Sequence, residues 1–292
     1  MSDERERRGG IDYPVSRAEF ERRFGSEAPC RTYLERVRWP EGFVCPGCGG
    51  RRNWLTGRGL YRCAACARGS SVTAGTIFAG SRKPLRLWFE ALWALAGDDG
   101  VSAEAVRVDL GLGSYQTAWA WLHKLRRTMT DPAPERLAGT VELASIPLWS
   151  VERGAATVAI AAEVGRGETG RIRISRLPDD RPAAIERFAA QAVAAGATLR
   201  TYRRYPETAF PFETGLPEFE RVASRLKEWC TQTHSGAIRA RQLDFYLAEF
   251  AFRYNHRAEP QGLRFYRLLQ GALAAAPMAA RSLVGGTEAV GR

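Results

Sequence analysis

The chain has 292 residues, with 43 lysines and arginines against 32 aspartates and glutamates, a formal net charge of +11. That length can bury a substantial core and fits two domains plus a smaller module. The positive balance favours a polyanionic partner, although a charge excess alone is more often a solvated surface, and no run approaches the 18 consecutive apolar residues of a membrane span.

The first ten residues, MSDERERRGG, carry no apolar stretch of the kind a signal peptide needs. Ser16-Arg-Ala-Glu19 then reads as a capping box, with Ser16 as N-cap and Glu19 three residues in. A second short helix is expected from Pro29 to Val37, ending before Trp39-Pro40.

Two CxxC pairs follow, Cys45-Pro-Gly-Cys48 and Cys63-Ala-Ala-Cys66, with 14 residues between them. Four thiolates at that spacing describe a structural zinc site built from two knuckles. Paired knuckles fit a reducing, cytoplasmic setting better than a disulfide framework. Residues 41–75 are thus read as a zinc ribbon, with short strands expected at Phe43-Val44 and Leu60-Tyr61-Arg62. Arg51, Arg52, Arg58, Arg62 and Arg68 lie among or just after the cysteines, and no acidic residue occurs from Arg51 to Arg68. A positive metal-clipped module suggests contact with nucleic acid, while the plainer reading is a purely structural clip.

From Pro84, apolar residues Leu85, Trp88, Phe89, Leu92, Trp93 and Leu95 recur at helical spacing. Gly97-Asp-Asp-Gly100 breaks that helix. Ser102 starts another, Gly111-Leu-Gly113 turns the chain, and Ser114 caps a helix that ends in His123-Lys-Leu-Arg-Arg127. The arrangement resembles a helix-turn-helix, with Lys124, Arg126 and Arg127 as candidate DNA contacts. The competing reading is an ordinary bundle whose last basic residues complement a helix dipole. The eight tryptophans mostly sit at helical spacing, which suits a core better than a base-stacking surface.

Asp131-Pro-Ala-Pro134 reads as a linker. Beyond it, 157–164 and 170–175 read as neighbouring strands joined by a hairpin at 165–169. A helix is expected from Pro182 to Ala195, a strand from Ala197 to Thr201, and helices over 217–232 and 239–254. That order describes an α/β domain with a mixed sheet. The Gly/Ala-rich end from about Gly271 is expected to fray. The domains expected are a helical lead over 1–40, the ribbon over 41–75, the helix-turn-helix-like region over 76–131, the α/β domain over 138–260 and a tail over 261–292, a multidomain α+β chain.

Several segments together carry a resemblance to a known family: Arg38-Trp-Pro-Glu-Gly-Phe-Val-Cys-Pro-Gly-Cys48, Tyr61-Arg-Cys-Ala-Ala-Cys66, Ser71-Val-Thr-Ala-Gly-Thr-Ile-Phe78, Gly139-Thr-Val-Glu142, Gly196-Ala-Thr-Leu-Arg-Thr201, Leu226-Lys227, and Tyr246-Leu-Ala-Glu-Phe-Ala-Phe-Arg-Tyr-Asn-His-Arg257. The chain resembles insertion-sequence transposases that join an N-terminal zinc ribbon to an RNase H-like DDE domain, over roughly residues 20–260. The resemblance implies binding of double-stranded DNA and leaves a homo-oligomer open. It also implies a two-cation Mg²⁺ centre for in-line displacement at phosphorus.

The carry-over of the acids fails at two positions. The family's first catalytic Asp falls on Ala144, within Val141-Glu-Leu-Ala-Ser145. Its second falls on Tyr202, with Arg203 in place of a glycine. A methyl group cannot ligate a metal, and a neutral phenol is a poor ligand for Mg²⁺. Glu220 matches the third position, and Lys227 follows seven residues later, nearly two helical turns on. Glu142 shares a strand face with Ala144 and is one candidate substitute acid; Glu163, on the adjacent strand, is another. Mg²⁺ would be needed only if such acids rebuilt the centre. His123, His234 and His256 are scattered, with His234 near a loop that resembles a substrate-contacting segment of the family. No Ser/His/Asp set, P-loop or dinucleotide fingerprint is present. The sequence therefore supports a transposase-like DNA-binding protein that has lost two of three catalytic acids. Its rivals are an active enzyme using Glu142 and Glu220, and a zinc-ribbon regulator or adaptor.

Overall fold

The computed structural model describes residues 11–57, 59–98, 100–130, 134–149, 155–165, 170–179, 181–202, 215–234, 238 and 242–277. The chain divides into two compact units. One holds the residues up to Thr128 together with the segment that begins at Glu259, and the other holds Met129 to Ala258.

The first unit opens with α1 (Arg17–Phe24) and α2 (Glu27–Arg38). Ser16 Oγ accepts the Glu19 amide at 3.2 Å, as a capping serine should, whereas the Glu19 carboxylate reaches Val15 N, at 2.8 Å. The ribbon follows as β1 (Asn53–Leu55), β2 (Tyr61–Cys63) and β3 (Gly69–Ser70), an antiparallel sheet in that order. The expected strand at Phe43-Val44 is absent. Phe43 is buried instead, against Trp39 and Tyr61 with ring centroids 5.0 and 5.7 Å away.

Helices α3 (Leu85–Leu95), α4 (Ala103–Asp109) and α5 (Tyr115–Arg127) come next. Pro84 stands at the N-cap of α3, where its missing N–H costs nothing. Ser102 and Ser114 cap α4 and α5 through the amides of Ala105 and Thr117. Trp88 of α3 stacks on Trp121 of α5 with centroids 3.8 Å apart.

The expected tail is different. Its start forms α9 (Gln261–Ala274), because Leu263, Phe265, Leu268, Leu269 and Ala272 make one buried face. Phe265 completes an aromatic core with Phe20, Phe24, Tyr33, Phe89 and Trp93. Gly262 lies so close to the segment before α1 that a Cβ there would sit 1.7 Å from the Pro14 carbonyl oxygen.

The second unit is a four-stranded mixed sheet in the order β6-β5-β4-β7. Its strands are β4 (Thr140–Trp149), β5 (Ala155–Glu163), β6 (Ile172–Arg176) and β7 (Thr198–Thr201). The pairs β4–β5 and β5–β6 are antiparallel, and β4–β7 is parallel. Helix α6 (Pro182–Ala192) covers one face, over Val141, Leu143, Ala159 and Ala161. Helices α7 (Pro217–His234) and α8 (Leu243–Asn255) cover the other, over Ala144, Ile146, Leu148, Val158 and Ile160. Both faces are covered, so the middles of β4 and β5 are buried almost without a break, with Val141 to Ala144 and Val158 to Ala162 all inside. Helix α6 stops three residues short of the expected Ala195, because Val193 already takes extended backbone. Of the linker expected at 131–134, residues 131–133 lie outside the described residues, as do 166–169 of the expected hairpin. Among the described residues, no helix is long and apolar enough to cross a membrane.

Candidate metal centre and the strand position of the acids

Cys45, Cys48, Cys63 and Cys66 converge, with all four Sγ atoms within 4.8 Å of one another. Cys45 and Cys66 Sγ are 3.7 Å apart, and Cys48 and Cys63 Sγ 3.6 Å. Four sulfurs at about 2.3 Å from one zinc in a tetrahedron stand about 3.8 Å apart, so the thiols fit a Zn²⁺ with little adjustment.

The two knuckles repeat one backbone design. Gly49 N donates to Cys45 O at 2.9 Å, and Ala67 N donates to Cys63 O at 3.0 Å. Cys45 N donates to Gly50 O and Cys63 N to Arg68 O, each at 3.0 Å. Each knuckle then needs a left-handed residue after its second cysteine. Gly49 supplies it at φ 72°, and Ala67 at φ 57° is the one non-glycine residue with positive φ among the described residues. The Gly47 N–H points at Cys45 Sγ at 3.4 Å, a donor that favours the thiolate. A thiol poised toward thiolate is the form zinc binds.

The ribbon is fastened to α2. Arg38 reaches the carbonyls of Ser71, Val72 and Ala74, the last at 2.6 Å, and its guanidinium lies 4.9 Å over the Trp39 ring. Arg31 reaches Gly59 O at 3.4 Å. Burial without an acidic partner lowers the Arg38 pKa. Arg38 stood in the sequence only as a flank of the first knuckle. Its 33–36 residue reach gave no local signal.

Of the basic residues proposed for DNA, Arg51, Arg52, Arg62 and Arg68 are exposed, and Arg58 lies outside the described residues. Arg51 sits 3.5 Å from Glu41, both in water, an ion pair of little energetic weight. The three on α5 divide. Arg127 is exposed, Lys124 is half-buried with its pKa lowered by desolvation, and Arg126 is 2% exposed. Arg126 is therefore corrected from surface contact to buried residue. The cause is that Ala120, Trp121, Leu122 and His123 are all buried, so the C-terminal half of α5 is wrapped rather than presented.

In the second unit, the register of β4 on β7 pairs Glu142 with Arg200 and Leu143 with Thr201. Continued by one step, it sets Tyr202 opposite Ala144. The Tyr202 amide indeed donates to Leu143 O at 3.4 Å. The two positions that the resemblance assigns to the first two acids are thus neighbours across adjacent strands. Ala144 is 1% exposed and packed among Ile146, Ile160 and the helices above, whereas Tyr202 is 39% exposed. Arg203 lies outside the described residues.

Glu142 faces the same side as Ala144 and is fully buried. Its carboxylate has work already. One oxygen accepts the amides of Glu218 and Phe219 at 2.7 and 3.1 Å, and the other takes Arg200 Nη1 at 3.0 Å. Pro217 begins α7, so these amides belong to its first turn, where a carboxylate satisfies orphan donors and meets the positive end of the helix dipole. Glu142 is a cap delivered from the sheet. Glu163 lies on the other side of the sheet. It pairs with Val141, not Glu142, and so belongs to the α6 face. There it holds the backbone amides of Ala138 and Arg171, each at 3.0 Å, and the Arg171 guanidinium at 2.8 Å.

Glu220 and Lys227 both lie half-buried on α7, and desolvation lowers the Lys227 pKa. The side chain of His234 lies outside the described residues, as do 235–237. A methyl, a phenol and a carboxylate already bonded to three donors do not fit a two-cation centre. Among the described residues, the four cysteines alone form a His/Cys/Asp/Glu group set to hold a metal.

The first unit thus carries a four-cysteine zinc ribbon that holds a structural Zn²⁺. Residues 25–69 match the transposase zinc-ribbon domain. The chain is also similar to the uncharacterized protein in transposable element ISH50 of Halobacterium salinarum, at 29% identity over 127 residues. That match covers 41% of this chain and 41% of the relative, so the chain spans under half the relative's length. Both findings support kinship with insertion-sequence transposases. No solved structure matches.

Proposed function

We propose that the chain is a transposase-like DNA-binding protein whose RNase H-like domain keeps its frame and has lost metal-dependent strand transfer. The observation that carries this reading is the juxtaposition of Ala144 and Tyr202 on neighbouring strands, where the family resemblance calls for two aspartates. The sheet order β6-β5-β4-β7, with β7 parallel to β4 and helices on both faces, supports the RNase H-like frame.

DNA binding rests on the ribbon arginines and on α4–turn–α5 read as a helix-turn-helix. In that reading the exposed start of α5, with Tyr115 and Gln116, faces the groove, and Arg127 meets phosphate. Cys63→Ser, which removes a zinc ligand, is expected to weaken binding in a gel shift with duplex DNA. Binding should also fall steeply with salt, because arginine–phosphate contacts release counterions. If no duplex binds at low salt, the reading fails and a protein-binding adaptor takes its place. The rival with substitute acids is weakened by Glu142, whose oxygens are spent on α7 and Arg200, and by Glu163, which faces away.

A further inference from the structure

Trp54 is the misplaced tryptophan of the ribbon. Trp39, Trp88, Trp93 and Trp121 are buried, as their aromatic and helical neighbours require, but Trp54 is 52% exposed. It sits on β1, an edge strand whose three residues all face water. A large indole left in water at a sheet surface forgoes much of the burial such a ring provides, and its companions point to what covers it.

The register pairs Trp54 with Arg62, and Arg62 with Gly69. These three form one cross-strand row on the exposed face, ending in a glycine that leaves the surface flat. Arg52, two residues before Trp54 and just ahead of β1, is exposed as well. Its position is fixed, because Arg52 O accepts the Ala64 amide at 2.9 Å. The Arg62 guanidinium is held by the Ala67 carbonyl at 2.8 Å, which leaves further N–H donors available. Among the described residues, neither Arg52 nor Arg62 has an ion-pair partner, and no acid occurs from Arg51 to Arg68. An apolar protein surface would leave these guanidinium groups uncompensated. A polyanion with flat aromatic rings matches both parts of the surface.

We propose that this face of the ribbon binds unpaired nucleotides of DNA, with Trp54 stacking on a base and Arg52 and Arg62 meeting the flanking phosphates. Bases inside a duplex have both faces covered by their neighbours, whereas unpaired bases offer a π-face to a projecting indole. The inference rests on the DNA-binding reading above and assigns a substrate form to it.

The test is fluorescence anisotropy with three labelled DNAs: a blunt duplex, the same duplex with a single-stranded tail, and the tail strand alone. Wild type, Trp54→Ala and Trp54→Tyr are compared after zinc content confirms that each ribbon is folded. Trp54→Ala is expected to weaken binding of the tailed and single-stranded DNAs by about 5- to 100-fold and to leave the blunt duplex nearly unchanged. Trp54→Tyr should restore most of the loss. Equal weakening on all three DNAs, or no weakening on any, overturns the inference while leaving DNA binding intact. If wild type binds none of the three, the DNA-binding reading falls with it.

Discussion

Glu142 offers the sharpest test of how the second unit is built. Replacing it with Ala removes an acceptor from three donors: the Glu218 amide at 2.7 Å, the Phe219 amide at 3.1 Å and Arg200 at 3.0 Å. Arg200 is nearly half exposed and recovers water, so its loss counts for little. The two amides lie beside buried Phe219 and Glu218, and each left without a partner costs about 1–3 kcal/mol. The sum is about 2–6 kcal/mol, and the lost methylenes add to it. For a unit of this size that corresponds to a fall of about 6–20 °C in its melting temperature. Glu142→Gln keeps the shape and one carbonyl acceptor, and should cost less, about 1–2 kcal/mol. The assay is calorimetric unfolding of the full chain, with the transitions assigned by hydrogen exchange, because two units need not melt together. Only the transition of the second unit should move, and α7 amides should exchange fastest. An unchanged transition with Glu142→Ala would refute the capping role and return Glu142 to the candidates for metal ligation.

The other predictions follow from local geometry. Metal analysis should find one zinc per chain, and Cys63→Ser or a strong chelator should remove it and unfold the ribbon while the second unit keeps its own transition. Gly262→Ala should destabilise the first unit by about 1–3 kcal/mol or more by thermal melting, since its Cβ would meet the Pro14 carbonyl. Burial opposes ionisation of Glu163, but hydrogen bonds from Arg171 and Ala138 outweigh it and hold its pKa below the usual range. A depressed carboxylate stabilises fully above the unfolded value of about 4.3 and loses that contribution as pH falls through the lower folded value. Glu163→Gln should therefore flatten the acid limb of the second unit's stability curve, seen by melting at stepped pH.

What was legible in the sequence was local. Ser16, Ser102 and Ser114 announce helix starts because each bonds an amide three residues away. The cysteine knuckles are legible for the same reason, since each closes within six residues. Long-range features were not. The work of Glu142 depends on amides 76 and 77 residues away, so the sequence shows only an acid on a strand. The face that carries Glu163 depends on register, which no composition reveals. Helix α9 was hidden by its glycines and alanines, although Leu263, Phe265, Leu268 and Leu269 do make a helical stripe. Arg126 looked like a surface charge because basic residues at a helix end ordinarily are. Its burial reflects the packing around α5.

The central claim is a protein that holds DNA without cutting it. It is tested most directly by incubating the zinc-loaded chain with a DNA it demonstrably binds, in Mg²⁺ and then in Mn²⁺, and resolving the strands on a denaturing gel. The account predicts retained complex and intact strands in both metals. Metal-dependent nicking or joining that disappears with Glu220→Ala, while binding persists, would contradict it.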